Sequence, residues 1–181
     1  MASTFELYIL SLLSSMSPQL VGEQILTNTA TSVTFSSIPA WTFLTVDWFA
    51  RSTVSGGVNV QMQIDGNTGN NYLWDKGGSH NGVSAAAWDG GAGVAQAVVG
   101  VIGGNTANYF STAHWTLNGW NNTSGHLTGT GISAAFDAVA TDWSEVYAMH
   151  YSGVGPHTSI KIFPASGSFT VGSQFTVYGW R

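Results

Sequence analysis

Residues 58–72 read VNVQMQIDGNTGNNY, and the fold class turns on this stretch. Val58, Val60, Met62 and Ile64 alternate with Asn59, Gln61, Gln63 and Asp65. A period of two places an apolar row on one face of a strand and an amide row on the other. The strand runs into Asp65-Gly66-Asn67-Thr68-Gly69-Asn70-Asn71. Gly and Asn tolerate positive φ, and Asn or Asp side chains bond the local backbone, so a turn is expected there. Upstream, Leu44, Val46, Trp48 and Ala50 alternate with Thr45, Asp47, Phe49 and Arg51. The connection between the two runs, Ser52 to Gly57, has hairpin length. They are therefore expected to pair as a hairpin with one buried face and one largely polar face.

The same pattern recurs outward from this pair. Gln24 to Asn28 and Thr31 to Ile38 read as strands, the second ended by Pro39, which cannot donate to a ladder. Val94 to Ile102 reads as one buried strand, and Asn108 to Leu117, Val146 to Tyr151, Ser159 to Phe163 and Gln174 to Trp180 as further strands. Residues 75–93, DKGGSHNGVSAAAWDGGAG, read as a long Gly-rich loop, a kind that is usually functional or interface-forming. Leu127 to Val139 shows no clear period. Eight or more short strands, frequent turn signals and no convincing helix predict an all-β chain, a jelly-roll-like antiparallel β-sandwich. The sandwich is expected over residues 24–181, preceded by an N-terminal arm or first strand over residues 1–23.

A length of 181 residues suits one domain. Charged residues make up 7% of the chain, against roughly a quarter in ordinary soluble domains. Asn, Ser, Thr, Gly and Gln must then carry the surface, and weak charge repulsion makes association the expected state. Four Lys plus Arg cannot supply a phosphate-binding stripe, so nucleic acid is not an expected partner. The net charge of -5 is spread thinly and marks no acidic tail. The absence of Cys excludes disulfides, thiolate metal sites and Cys nucleophiles. The 8 Trp, 9 Phe and 6 Tyr favour strands and large buried areas.

The N-terminal residues read MASTFELYILSLLSSMSPQLVGE, with no Lys or Arg before Arg51, so the basic region of a secretory signal is missing. The apolar run Phe5 to Leu13 is too short to span a bilayer. Two readings stand for it: a first strand or short helix tucked against the same domain, or an arm docked on a neighbouring subunit or another protein.

Chemistry finds little to stand on. His80, His114, His126, His150 and His157 are scattered, with no HExxH and no pair at metal-ligand spacing. Residues 65–70 superficially resemble a calcium loop, but one carboxylate and no closing Glu fall short of the oxygens that Ca²⁺ needs. Asp137, Asp142 and Glu145 are the clustered acids, at a spacing that does not suggest a glycosidase pair. Trp74, Trp88, Trp120 and Trp143 lie beside Gly, Asn or Asp and are candidates for exposure, where they would stack on sugars or sit at interfaces. Core or interface use outweighs sugar stacking. Residues 121–124 contain glycosylation sequons that matter only in a eukaryotic secretory setting. No catalytic, cofactor-binding or metal-binding residue is assigned.

A resemblance runs along the chain. Ala30-Thr31-Ser32-Val33-Thr34-Phe35-Ser36-Ser37-Ile38-Pro39, then Ala50-Arg51-Ser52, then Ile64 to Tyr72 in the place of a phrase like FNGDTGNNY, resemble segments of tailed-bacteriophage virion proteins. Ser159 to Phe163, Gly172-Ser173 and Phe175-Thr176-Val177-Tyr178-Gly179 are similar to the closing strands of the same group. The matches are in order and span residues 30–180, though residues 75–145 carry none, and Asn67 stands where Asp is commoner. The resemblance implies a β-sandwich used as a head decoration (cement) protein or in tail fibres, with no enzymatic activity.

The expectation is therefore a structural protein on the virion surface. Its partners would be the major capsid protein and copies of itself, with trimers suiting local three-fold positions of an icosahedral head. The alternative is a receptor- or carbohydrate-binding module of a fibre, in which clustered exposed Trp would converge with Asn or Asp. Neither a membrane nor nucleic acid is an expected partner.

Overall fold

In the computed structural model, residues 17–80, 83–84, 89–104, 109–137 and 141–181 are described. Among them thirteen strands form two antiparallel sheets, and there is no helix. The strands are β1 (Gln19–Ile25), β2 (Val33–Phe35), β3 (Phe43–Ala50), β4 (Val58–Ile64), β5 (Tyr72–His80), β6 (Val83–Ser84) and β7 (Asp89–Val94). They continue with β8 (Ala97–Ile102), β9 (Ser111–Asn118), β10 (His126–Asp137), β11 (Thr141–Val154), β12 (Ile160–Pro164) and β13 (Gln174–Trp180). The larger sheet runs β1-β13-β3-β9-β10-β11-β5-β6, with β7 also paired to β5, and the smaller runs β2-β12-β4-β8. The two pack face to face as a β-sandwich, the class expected.

The pairing of the two organising strands is not the one expected. β3 lies in the larger sheet between β13 and β9, whereas β4 lies in the smaller sheet between β12 and β8. The connection from Arg51 to Gly57 therefore arches between sheets, held by Ser52 N–H on Gly103 O at 3.1 Å and Thr53 N–H on Ser168 O at 2.9 Å. Alternation reports that each strand has one buried face, but a hairpin and an arch satisfy it equally. In the arch the rows Leu44, Val46, Trp48 and Val58, Val60, Met62, Ile64 meet across the core rather than lying side by side, and all are buried. Full burial of such side chains stabilises by about 1.5–3 kcal/mol each.

Further boundaries move. Residues 19–23 belong to β1, paired with β13 from Gln19–Gly179 to Ile25–Gln174, so a strand begins inside the segment expected as an arm or first strand. Residues 1–16 lie outside the described residues. The presumed 75–93 loop contains most of β5 together with β6 and β7, and the single strand expected at 94–102 is two strands that change sheets at Ala95-Gln96. β13 has the bounds and the inward row, Phe175, Val177 and Gly179, that its alternation predicts.

Indole rings fix the spacing of the layers. Trp115 of β9 is fully buried and donates from Nε1 to Val99 O of β8 at 2.6 Å, joining the two sheets. Its ring lies on β10, where a Cβ at Gly131 would fall 2.4 Å from Trp115 Cε2. Ser133 Oγ accepts from Val101 N–H and donates to Val101 O, each at 3.2 Å, and makes a second link between the sheets.

Candidate functional site

Leu127 to Val139 shows no clear period because, along β10, the alternation is inverted in size. β10 turns Leu127, Gly129, Gly131, Ser133 and Ala135 inward, and two of these are glycines: Trp115 occupies the space at Gly131, and Leu117 with Met149 occupies it at Gly129. It turns Thr128, Thr130, Ile132, Ala134 and Phe136 outward. Large apolar side chains therefore point away from the core, with Ile132 58% and Phe136 53% exposed. On β11 the outward Val146 is 48% exposed and stands directly opposite Ile132.

Register extends this pair into a row across six strands: Thr176, Asp47, His114, Ile132, Val146 and Gly77. The next outward row is Gln174, Phe49, Thr112, Ala134, Ser144 and Ser79. Short side chains at Thr112, Ala134 and Ser144 leave a trough of about 490 Å³ beside Ile132 and Val146. Further hollows of about 320 Å³ and 390 Å³ adjoin it and share His114. Cross-strand rows of this kind are the natural contact unit of a sheet face.

The trough is nearly uncharged. His114 Nδ1 lies 2.6 Å from Asp47 Oδ1, with both side chains well exposed, so the pair contributes little to stability. Glu145 also borders the trough, but its carboxylate faces the other side of β11, where Lys76 Nζ lies 3.1 Å away and Tyr147 Oη donates to it. Burial first, then the Glu145 hydrogen bond and charge, push the Tyr147 phenol well above its ordinary value. Asp142 and Glu145 occupy opposite faces of β11, which separates the acids that cluster in sequence.

The histidines divide by environment. His157 is buried, His80 stacks on Trp143 with ring centroids 4.8 Å apart, and His126 meets His150 edge-on at 5.0 Å. Among the described residues, no three His, Asp or Glu side chains are grouped to hold a metal ion. In the 65–71 turn both Asp65 oxygens are taken: Oδ2 by His157 Nδ1 at 2.8 Å, and Oδ1 by the N–H groups of Thr158 at 2.8 Å and Ser159 at 3.0 Å. Asn67 Oδ1 accepts from Gly69 N–H at 2.7 Å and Asn71 Nδ2 at 3.2 Å, while its Nδ2 donates to Tyr151 Oη at 3.0 Å. The loop is an internally satisfied brace.

Trp120, a candidate for exposure, is instead fully buried and meets the His157 ring edge-on at 5.5 Å. Trp41, Trp48 and Trp115 are also buried, and Trp74, Trp143 and Trp180 are half-buried. None of the described Trp side chains is exposed, and Trp88 lies outside the described residues. Sequence reasoning missed Ile132 and Val146. The available signal was β10 itself, where Gly and Ala alternate with Thr, Ile and Phe.

No family model and no curated protein matches the chain. Among solved structures it is similar to a substituted alginate lyase in complex with an alginate tetrasaccharide, at 9% identity and a TM-score of 0.33, covering 88% of this chain and 79% of that one. A likeness at this level carries no argument about substrate or reaction.

Proposed function

We propose that the chain is a structural, non-enzymatic protein of a tailed-bacteriophage particle, a decoration (cement) protein on the outside of the head that associates with the major capsid protein and with copies of itself. The ordered resemblance over residues 30–180 supplies the setting, and a β-sandwich is the architecture that resemblance implies. The observation that favours protein docking is the exposed Ile132–Val146 pair beside a trough lined mostly by neutral residues. Apolar side chains beside such a trough suit a protein surface, since exposed apolar patches mark interaction sites.

The fibre-module alternative needs exposed aromatic platforms converging with amides. The described Trp side chains are buried or half-buried, which weighs against it. Cosedimentation of the purified protein with decoration-free phage heads is the test. Saturable binding supports the decoration role. A folded protein that does not pellet with heads would sink that reading and make a glycan array the next measurement.

A further inference from the structure

One pair of metal-ligating side chains lies apart from the trough. His126 opens β10, His150 stands near the end of β11, and their rings meet with centroids 5.0 Å apart and planes at 69°. Their neighbours Leu127, Met149 and Tyr151 are buried, which turns both histidines to the outward face of the larger sheet. There His126 is exposed and His150 half-buried. We propose that His126 and His150 form a two-histidine clamp for a divalent transition-metal ion of the Zn²⁺ and Cu²⁺ class, with water completing its coordination. Sequence spacing hides the pair, because hairpin register rather than chain neighbourhood joins it.

Three observations carry the inference. The first is separation. A metal ion lies about 2.0–2.1 Å from an imidazole nitrogen and about 3.2 Å from the ring centre, so two rings at a tetrahedral angle have centres about 5.2 Å apart. The observed 5.0 Å matches this, and rotation about the side-chain torsions is enough to bring one nitrogen of each ring to a common point.

The second is tautomer. Register passes from Leu127–Tyr151 to His126–Val154 through a β-bulge, and Ser152 O inside the bulge lies 2.9 Å from His126 Nδ1. A carbonyl oxygen only accepts, so Nδ1 carries the proton and the neutral ring keeps its lone pair on Nε2. A backbone carbonyl behind one nitrogen orients a ligating histidine and raises its basicity. Among the described residues nothing hydrogen-bonds the His150 ring, so its nitrogens stay available.

The third is charge. β5, β10 and β11 together carry one Lys and no Arg, and that Lys76 is held on the other face, 3.1 Å from Glu145. Asp75 is exposed on the outward face opposite Ala148, diagonal to His150, and its carboxylate favours a cation. Imidazole nitrogens suit Zn²⁺, Cu²⁺ and Ni²⁺, whereas Ca²⁺ and Mg²⁺ require oxygen ligands. A bound ion would tie β10 to β11 where the bulge interrupts their ladder, and so stabilise that end of the hairpin.

This inference does not depend on the head-binding reading, and the free protein tests it. Zn²⁺ is titrated calorimetrically into the 181-residue chain in a non-coordinating buffer near neutral pH. One ion per chain is expected. His126→Ala and His150→Ala should each weaken binding about tenfold or more, because one ring alone loses the gain of a second tethered ligand. His80→Ala, whose ring stacks on Trp143, should bind as the parent chain does. Parental affinity in both His126→Ala and His150→Ala, each folded by circular dichroism, would overturn the clamp. So would a parent chain that takes up no Zn²⁺, or one ion shared by two chains, which would place the metal between copies. A second readout needs no substitution. One equivalent of Cu²⁺ should give a pulsed electron paramagnetic resonance spectrum with the remote-nitrogen signature of two imidazoles, and a signature of one imidazole or none would also overturn the proposal.

Discussion

The carboxylate of Asp65 and the imidazole of His157 meet at 2.8 Å across 92 residues of sequence, and they join the turn after β4 to the approach to β12. His157 is fully enclosed, with Tyr151 and Trp120 rings 5.4 Å and 5.5 Å from its own. Asp65 holds φ at 53°, a left-handed conformation that Asp and Asn tolerate better than most residues. Burial pushes the Asp65 carboxyl up, but the Thr158 amide, His157 and the Ser159 amide together outweigh it, and the group titrates below its ordinary 3.8. A depressed folded-state value means that the unfolded chain takes up the proton first, so this pair's contribution is complete well above pH 3.8 and is lost as pH falls through the lower folded value. Asp65→Asn keeps the turn conformation and removes the charge. It should cost about 1–3 kcal/mol at pH 7 and flatten the acid limb of stability. Urea midpoints from pH 7 to pH 3 check both, and a variant as pH-dependent as the parent chain would contradict the assignment.

Gly131 is inward on β10 because Trp115 lies where its side chain would be. Gly131→Ala places a Cβ 2.4 Å from a buried ring that also bonds Val99 O. The ring cannot yield without losing that bond, so overpacking should cost about 1–3 kcal/mol. Gly66→Ala is a useful contrast: its Cβ would meet nothing within 4 Å, and its cost would come from φ of 65° alone. Thermal denaturation should show a buried-contact penalty at 131, relieved in part by Trp115→Phe in the same chain. No relief would mean that Trp115 is not the obstacle.

Ser133 Oγ both accepts from and donates to the Val101 backbone across the core. Ser133→Ala leaves the buried Val101 amide without that partner, at about 1–3 kcal/mol. The measurement is the urea midpoint together with amide exchange at Val101. Protection unchanged at that amide would show the link to be dispensable.

Deletions should separate the segment before β1 from the sheet itself. Removing residues 2–16 leaves every described strand, so the sandwich should remain folded by circular dichroism. Removing residues 2–25 takes away β1 and exposes the edge of β13, and it strips the cover at Gly22, where a Cβ would stand 2.8 Å from Phe35. That longer deletion should aggregate or lose stability, because an uncovered edge strand templates pairing. A stable, monomeric 2–25 deletion would show β1 to be an appendage.

If the protein binds phage heads as proposed, its low charge sets the response to salt. Exposed ion pairs are screened over about 8 Å at physiological ionic strength, and apolar contacts are not. Binding should therefore survive a rise from 0.15 to 1 M salt with little loss. Release of the protein from heads by moderate salt would point to a charged interface instead.

Much of this fold is legible in the residues themselves. The alternation of Val58 to Ile64, Ile160 to Phe163 and Gln174 to Trp180 sets which side of each strand is buried, and the structure places those sides inward. Composition likewise determines a neutral, Asn- and Thr-rich surface. These are local properties: a strand's buried face depends on its own spacing, whichever strand lies beside it.

Pairing is not local, and only the tertiary structure decided it. The same alternation fits β3 and β4 as a hairpin or as opposite walls of a core, and the choice depends on which strands complete each sheet. The Asp65–His157 contact depends on that choice, since it forms only once β12 lies beside β4. The outward Ile132 and Val146 were hidden for a further reason. Trp115 fills the core above Gly131, and Leu117 and Met149 fill it above Gly129, so β10 buries glycines there and exposes Ile132 and Phe136, and a hydrophobic pattern read from one strand cannot know what its neighbour has already filled.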